Sequence, residues 1–231
     1  MPATDRYRSL VQGPEGDLAV RLDEAALLVA AHAHQDLDVD AYLARLDAIA
    51  QACPSPTTAG VVTHLFGTLG FAGAVEDYHD PRNSYLDDVI DRRVGIPISL
   101  SVLTMGVGRR VGVSFEPVGM PGHFLVRGAT PLGTLFDPFD GGRRLTEAAC
   151  RTRFHDLLGR QAQWDPSYLD PVEPRAVVAR LLANLRSTAL ARGDLALLDW
   201  VVRLRAAIPG VLEEAPADLR RQALARRAPL N

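Results

Sequence analysis

Lysine is missing from this chain. All 25 basic residues are arginine, a bias that coding preference in a GC-rich genome explains without any appeal to function. Cysteine is nearly missing as well. Only Cys53 and Cys150 occur, in no CxxC pair and no metal-spaced cluster, so no disulfide framework is expected and a reducing cytoplasm is the expected setting. Neither sign of charge is in excess. The net charge is −3, and the doublets Arg92-Arg93, Arg109-Arg110, Arg143-Arg144 and Arg220-Arg221 are scattered, whereas nucleic-acid binding needs a clustered basic face. No apolar run is long enough to span a bilayer, and the opening MPATDRYRSL lacks the apolar segment of a signal peptide. HExxH, GxGxxG and GxxxxGK[ST] are all absent. His32, His34, His64, His79 and His155 show no ligand spacing, so neither a metal nor a cofactor is expected. There is no low-complexity segment and no clear internal repeat.

What remains is an ordinary globular composition. The chain has 231 residues, 47% of them hydrophobic and 23% charged, enough for one large domain or a domain with an appendage. Residues 1–16, punctuated by Gly13, Pro14 and Gly16, read as a loose arm. Helical spacing of apolar residues predicts a helix from Leu18 to Ala33, a second capped by Asp38 or Asp40 and running to about Ala52, and a third from Thr58 to Leu69. YHDPRNS is turn chemistry, after which Asn83 or Ser84 can cap a helix ending at Arg93 with Gly95 as its stop. Asp87, Asp88 and Asp91 read as a solvated face of that helix. Pro97 suits the first turn of the next helix, where its missing N–H is no loss, and that helix stops near Gly112. VSFEPVG, HFLVR and TLFDPF then read as strands. Helix resumes near Thr146. A proline-rich connection over 165–174 precedes two helices, about Arg175–Ala191 and Asp194–Ala207, and a short one over Ala217–Arg227. The outline is α+β with helix in excess.

The stretch from Tyr78 to Gly142 carries the chemistry. If HFLVR and TLFDPF form a hairpin centred near Thr130, His123 reflects onto or beside Asp137. Opposed residues of an antiparallel pair share a face. A carboxylate there can hold one imidazole nitrogen and leave the other as a base. The plainer alternatives are a structural histidine at a strand start and an Asp-Pro turn.

Three blocks, DPRNSYLDDVIDRRVGIPISLSVL, PGHFLVR and LFDPFDGG, resemble the SirB-type branch of the transglutaminase-like superfamily, over roughly residues 60–150. The resemblance implies a papain-like or transglutaminase-like core with a central helix on a small antiparallel sheet, spanning 17–164. It also implies a C-terminal helical, tetratricopeptide-like extension over 165–231. Its catalytic histidine and aspartate fall on His123 and Asp137, but its nucleophile falls on Pro97. Proline has no attacking atom. A helix N-terminus lowers a thiol pKa, and here there is no thiol to lower. Cys53 and Cys150 read as small buried hydrophobes. Ser99 is the one candidate substitute, since a serine beside a base can act as nucleophile. Its plainer role, like that of Ser101, is to bond to backbone in the first helical turn.

Asn83, Pro97, Ser99, His123 and Asp137 thus outline a candidate cleft. Three functions stay open. One is a non-catalytic, regulatory protein that binds a protein or peptide. Another is a hydrolase or acyl transferase using Ser99, His123 and Asp137. The last is a structural or small-ligand-binding protein.

Overall fold

A computed structural model describes residues 2–129 and 133–210. The expected hairpin centre at Thr130 and the helix expected over 217–227 lie outside these residues.

The N-terminal arm is not loose. Residues Ala3–Gln12 form helix α1, because Tyr7, Leu10 and Val11 make an apolar stripe at helical spacing, and all three are buried. The Tyr7 hydroxyl donates to Leu204 O at 3.2 Å, and Arg175 Nε donates to Val11 O at 2.9 Å. These contacts tie the start of the chain to its C-terminal helices.

The helix expected over 18–33 is split into α2 (Glu15–Ala19) and α3 (Leu22–Ala30), with a break at Val20 and Arg21. Helix α4 (Val39–Gln51) is capped as expected by Asp38, whose carboxylate accepts from Ala41 N at 3.0 Å. Helix α5 (Thr58–Val62) continues as a π-helical turn over Thr63–Thr68. Strand β1 (Ala72–Gly73) pairs in parallel with β2 (Val94–Gly95). Between them lie a 3-10 turn (Pro81–Asn83), capped by Asp80, and helix α6 (Leu86–Arg92). Neither Asn83 nor Ser84 caps α6, because Tyr85 occupies that place. Arg93, with φ 57°, supplies the left-handed stop, so Gly95 is released into β2.

Helix α7 (Pro97–Arg110) is the centre of the molecule, and every residue from Pro97 to Gly108 is buried. It packs on α3, α4, α5, β3 (Phe115–Val118) and β4 (Leu125–Gly128). Glycine permits that approach, since a Cβ on Gly108 would stand 2.6 Å from the Phe115 ring. The sheet is a four-stranded antiparallel meander, β3-β4-β5-β6, completed by β5 (Leu135–Asp137) and β6 (Arg143–Leu145). Strand β6 was not anticipated. Leu145 is its only buried residue, so the segment carries no alternating pattern.

The two faces of the sheet feed two cores. Phe124, Val126 and Phe136 join the large core around α7, whereas Leu125, Leu135 and Leu145 meet Cys150 and Phe154 of α8 (Glu147–Leu158). Helices α9 (Pro174–Arg192) and α10 (Leu195–Ala206) are joined by Gly193, at φ 63°, and the capping Asp194. They contribute Leu181, Leu185 and Val201 to the same large core. The described residues therefore form a helix-rich α+β fold with two small sheets. Among the described residues, no helix is long and apolar enough to cross a membrane.

Candidate functional site

The strand pairing matches Val126 with Phe136 and Arg127 with Leu135. Continued by one residue, this register puts Asp137 opposite Leu125, and His123 lies two residues further along the same face. The pair therefore meets diagonally rather than head-on. Diagonal neighbours remain within reach of an imidazole. Gly122, at φ 76°, turns the chain just before the histidine. His123 Nε2 lies 2.9 Å from both Asp137 Oδ1 and Oδ2. An ionised carboxylate only accepts, so Nε2 is the nitrogen that donates to it. Among the described residues Nδ1 has no hydrogen-bond partner.

Asp137 is fully buried and well satisfied. It caps the 3-10 turn Pro138–Asp140 by accepting from Phe139 N at 3.1 Å and Asp140 N at 3.3 Å. A residue the sequence did not bring forward completes it. Arg153, from α8, places Nη1 2.5 Å from Asp137 Oδ2 and Nη2 2.9 Å from Asp140 Oδ2. The same Nη1 lies 3.2 Å from His123 Nε2. Both are donors in this protonation state, so they share the carboxylate rather than bond to each other. A second unanticipated arginine, Arg180 of α9, holds the loop that presents the histidine. It donates to Met120 O at 3.0 Å and His123 O at 3.2 Å, and burial lowers its pKa. The Phe139 ring stands edge-on to the imidazole, with centroids 6.0 Å apart.

The position expected for the nucleophile holds a proline. Pro97 is the first residue of α7, after Ile96. Ser99 is buried, and its hydroxyl donates to Asn83 O at 2.6 Å and accepts from Ile96 N at 3.0 Å. No hydrogen bond joins Ser99 to His123 among the described residues. Ser101 donates to Pro97 O at 2.8 Å. Cys150 is fully buried, and burial together with the charge of Asp137 pushes its thiol up to about 11, which suppresses the thiolate. Cys53 donates to Ser55 O. Asn83 is buried behind the helix head. It donates to Asp77 O at 2.6 Å, accepts from Arg92 at 3.1 Å, and lines a separate groove with Gly73, Glu76 and Val94. The five candidate cleft residues therefore divide in two. His123 meets Asp137, while Asn83, Pro97 and Ser99 form the hydrogen-bonded head of α7. Sequence signal for Arg153 existed only as helical position, since nothing local distinguishes it from Arg151.

A central helix on an antiparallel meander with a histidine–aspartate pair defines a class. The model of the transglutaminase-like superfamily matches residues 22–183, and the chain belongs to that superfamily. Within it, the chain is 38% identical over 184 residues to a UPF0162 protein of Xylella fastidiosa, a match covering 74% of this chain and 66% of that protein. It is 34% identical over 184 residues to a UPF0162 protein of Pseudomonas aeruginosa, covering 75% of this chain and 66% of that protein. It is also 34% identical over 140 residues to F-box only protein 21 of Homo sapiens, covering 56% of this chain and 21% of that protein. The matched region thus spans just under two thirds of these bacterial relatives. No solved structure matches the chain.

Proposed function

We propose that this chain is a SirB-type transglutaminase-like protein that has given up covalent chemistry and acts in the cytoplasm by binding a protein or peptide. The observation that carries this reading is the chemistry at the head of α7. Pro97 stands where a nucleophile is needed, and the nearest hydroxyl, Ser99, is committed to Asn83 O and Ile96 N. The histidine–aspartate pair then serves as a closed polar element that shapes the surface. Beside it lie exposed apolar side chains. Leu157 and Leu158 are 51% and 48% exposed, and both approach Gly122, next to His123. Large apolar residues exposed together are a common mark of an interaction site. The recurrence of this region within the much longer F-box only protein 21 agrees with a module that works through partners. We further read the α9–α10 hairpin as a tetratricopeptide-like extension.

A second reading keeps the dyad active. Nδ1 of His123 has no partner among the described residues, and a displaced Ser99 would complete a Ser99–His123–Asp137 set for hydrolysis or acyl transfer. It requires Ser99 to abandon two buried hydrogen bonds.

Treating the full chain with a fluorophosphonate and with iodoacetamide, and mapping adducts by mass, separates the two. The expected result is no adduct that depends on His123. A Ser99 adduct that disappears in His123→Ala would establish the second reading. For the first, a partner isolated from the native host should be retained by the wild type and lost from a Leu157→Asp, Leu158→Asp double variant. Equal retention by that variant removes the apolar patch from the proposal.

A further inference from the structure

A second histidine–carboxylate cluster lies apart from His123. His34 sits in the turn after α3, against Asp87 and Asp88 in the first turn of α6. One ligand atom from each of the three residues falls within 4.8 Å of the others. Donors on opposite sides of one ion with bonds of about 2.0–2.2 Å stand ~4 Å apart, so the three residues can share a cation bound through one imidazole nitrogen once the contact of the other nitrogen gives way. His34 Nε2 and Asp88 Oδ2 are 3.5 Å apart, which is about the separation of neighbouring ligands on a tetrahedral ion. Nδ1 of the same ring lies 2.5 Å from Asp87 Oδ2.

The carboxylates are not satisfied by the protein. Asp87 is only 5% exposed, and its Oδ1 is buried with no hydrogen-bond partner among the described residues. Asp88 Oδ2 is buried too and makes no hydrogen bond among the described residues, although His34 Nε2 stands 3.5 Å away. Native interiors rarely leave such atoms alone. The start of a helix explains why acidic residues are favoured here, but it explains neither the histidine nor the orphaned oxygens. A protonated His34 brings one positive charge against two negative ones. The arginines nearby bond elsewhere: Arg82 to Asp80, and Arg92 to Asn83.

We propose that His34, Asp87 and Asp88 form a binding site for one divalent transition-metal cation of the Zn²⁺ type, with water completing its coordination. An imidazole with carboxylates suits such an ion, whereas an oxygen-only set would favour Mg²⁺. The His34 side chain is 38% exposed, which gives the ion a route from solvent. The consequence is mechanical. The site joins the turn after α3 to the start of α6, directly behind the 3-10 turn whose Asn83 carbonyl receives Ser99 and Ile96 N. A bound ion would brace the head of α7. This site is independent of the proposed binding function, since it shares no residue with the apolar patch.

The test is calorimetric titration of the metal-free, untagged full chain with ZnCl₂ and separately with MgCl₂, followed by thermal unfolding. One Zn²⁺ per chain, at least tenfold tighter than Mg²⁺ and raising the melting temperature, is expected. Asp88→Asn and His34→Gln should each weaken Zn²⁺ binding by about 10–100-fold and abolish the thermal shift. Among the described residues Asp88 makes no side-chain hydrogen bond, so Asp88→Asn decides the matter if His34→Gln fails to fold. No Zn²⁺ binding by the wild type, binding unchanged in Asp88→Asn, or equal affinity for Mg²⁺ would each overturn the proposal.

Discussion

The two histidine–carboxylate clusters of this molecule use the same side chains and balance their charge in opposite ways. At His123 one buried carboxylate receives an imidazole, a guanidinium and two backbone N–H groups. At His34 two carboxylates share one imidazole, and two of their oxygens have no hydrogen-bond partner among the described residues. Folding alone completes the first cluster and leaves the second short of positive charge. A histidine beside an aspartate is therefore not a role in itself. The third partner decides whether the pair is a finished structural element or a site awaiting a ligand.

That contrast is most exposed to failure at Arg153. Arg153→Ala leaves Asp137 buried without its cation and should cost about 3 kcal/mol of unfolding free energy, the low end for breaking a buried ion pair. Urea unfolding measures it, and a loss like that of a surface ion pair, below about 1 kcal/mol, would mean that Asp137 does not depend on Arg153. His123→Ala should cost less, about 1–2 kcal/mol, because Arg153 and the backbone still hold the carboxylate. If the histidine variant proves the more damaging in the same experiment, the imidazole and not the guanidinium is the main partner of Asp137.

The second cluster should respond with the opposite sign. In metal-free protein, Asp88→Asn removes a like charge beside Asp87 and should leave stability unchanged or raise it by up to about 0.5 kcal/mol. A clear destabilisation would mean that the cluster is already balanced. The smallest effect sharpens the same point through pH. The Asp88 carboxyl is raised in the folded state by burial and by Asp87. A raised carboxyl binds its proton more tightly when folded, so its contribution is fully present below the ordinary aspartate value of about 3.9 and is lost as pH rises through the raised value. The stability advantage of Asp88→Asn over the wild type should accordingly widen from acid toward neutral pH. An advantage that is flat with pH would assign the effect to something other than the Asp88 charge.

Much of the architecture was legible in the sequence. Pro97 opens α7 and Asp38 caps α4 because proline geometry and carboxylate capping act within one turn of chain. The meeting of His123 and Asp137 was legible because strand alternation puts both residues on the same face of the sheet. The misses share a different cause. Residues 1–16 look polar and broken, yet Tyr7, Leu10 and Val11 are drawn into a helix by a surface formed nearly two hundred residues later. Arg93 takes the left-handed stop that glycine chemistry assigned to Gly95, because Gly95 is needed in a parallel pairing with Gly73. Asp87, read as part of a solvated face, is buried against His34 from another element. Arg153 and Arg180 were invisible for the same reason, as each acts across a long separation in the chain.

By itself the sequence determined that no thiol leads the central helix, and that a histidine and an aspartate lie within reach of each other. These follow from residue identity and from the period of a strand, which need only a few neighbouring bonds. Tertiary structure alone decided which carboxylates are neutralised. Arg153 closes Asp137, while no arginine among the described residues closes the orphaned oxygens of Asp87 and Asp88, because the energy of a buried charge depends on what distant segments bring to it.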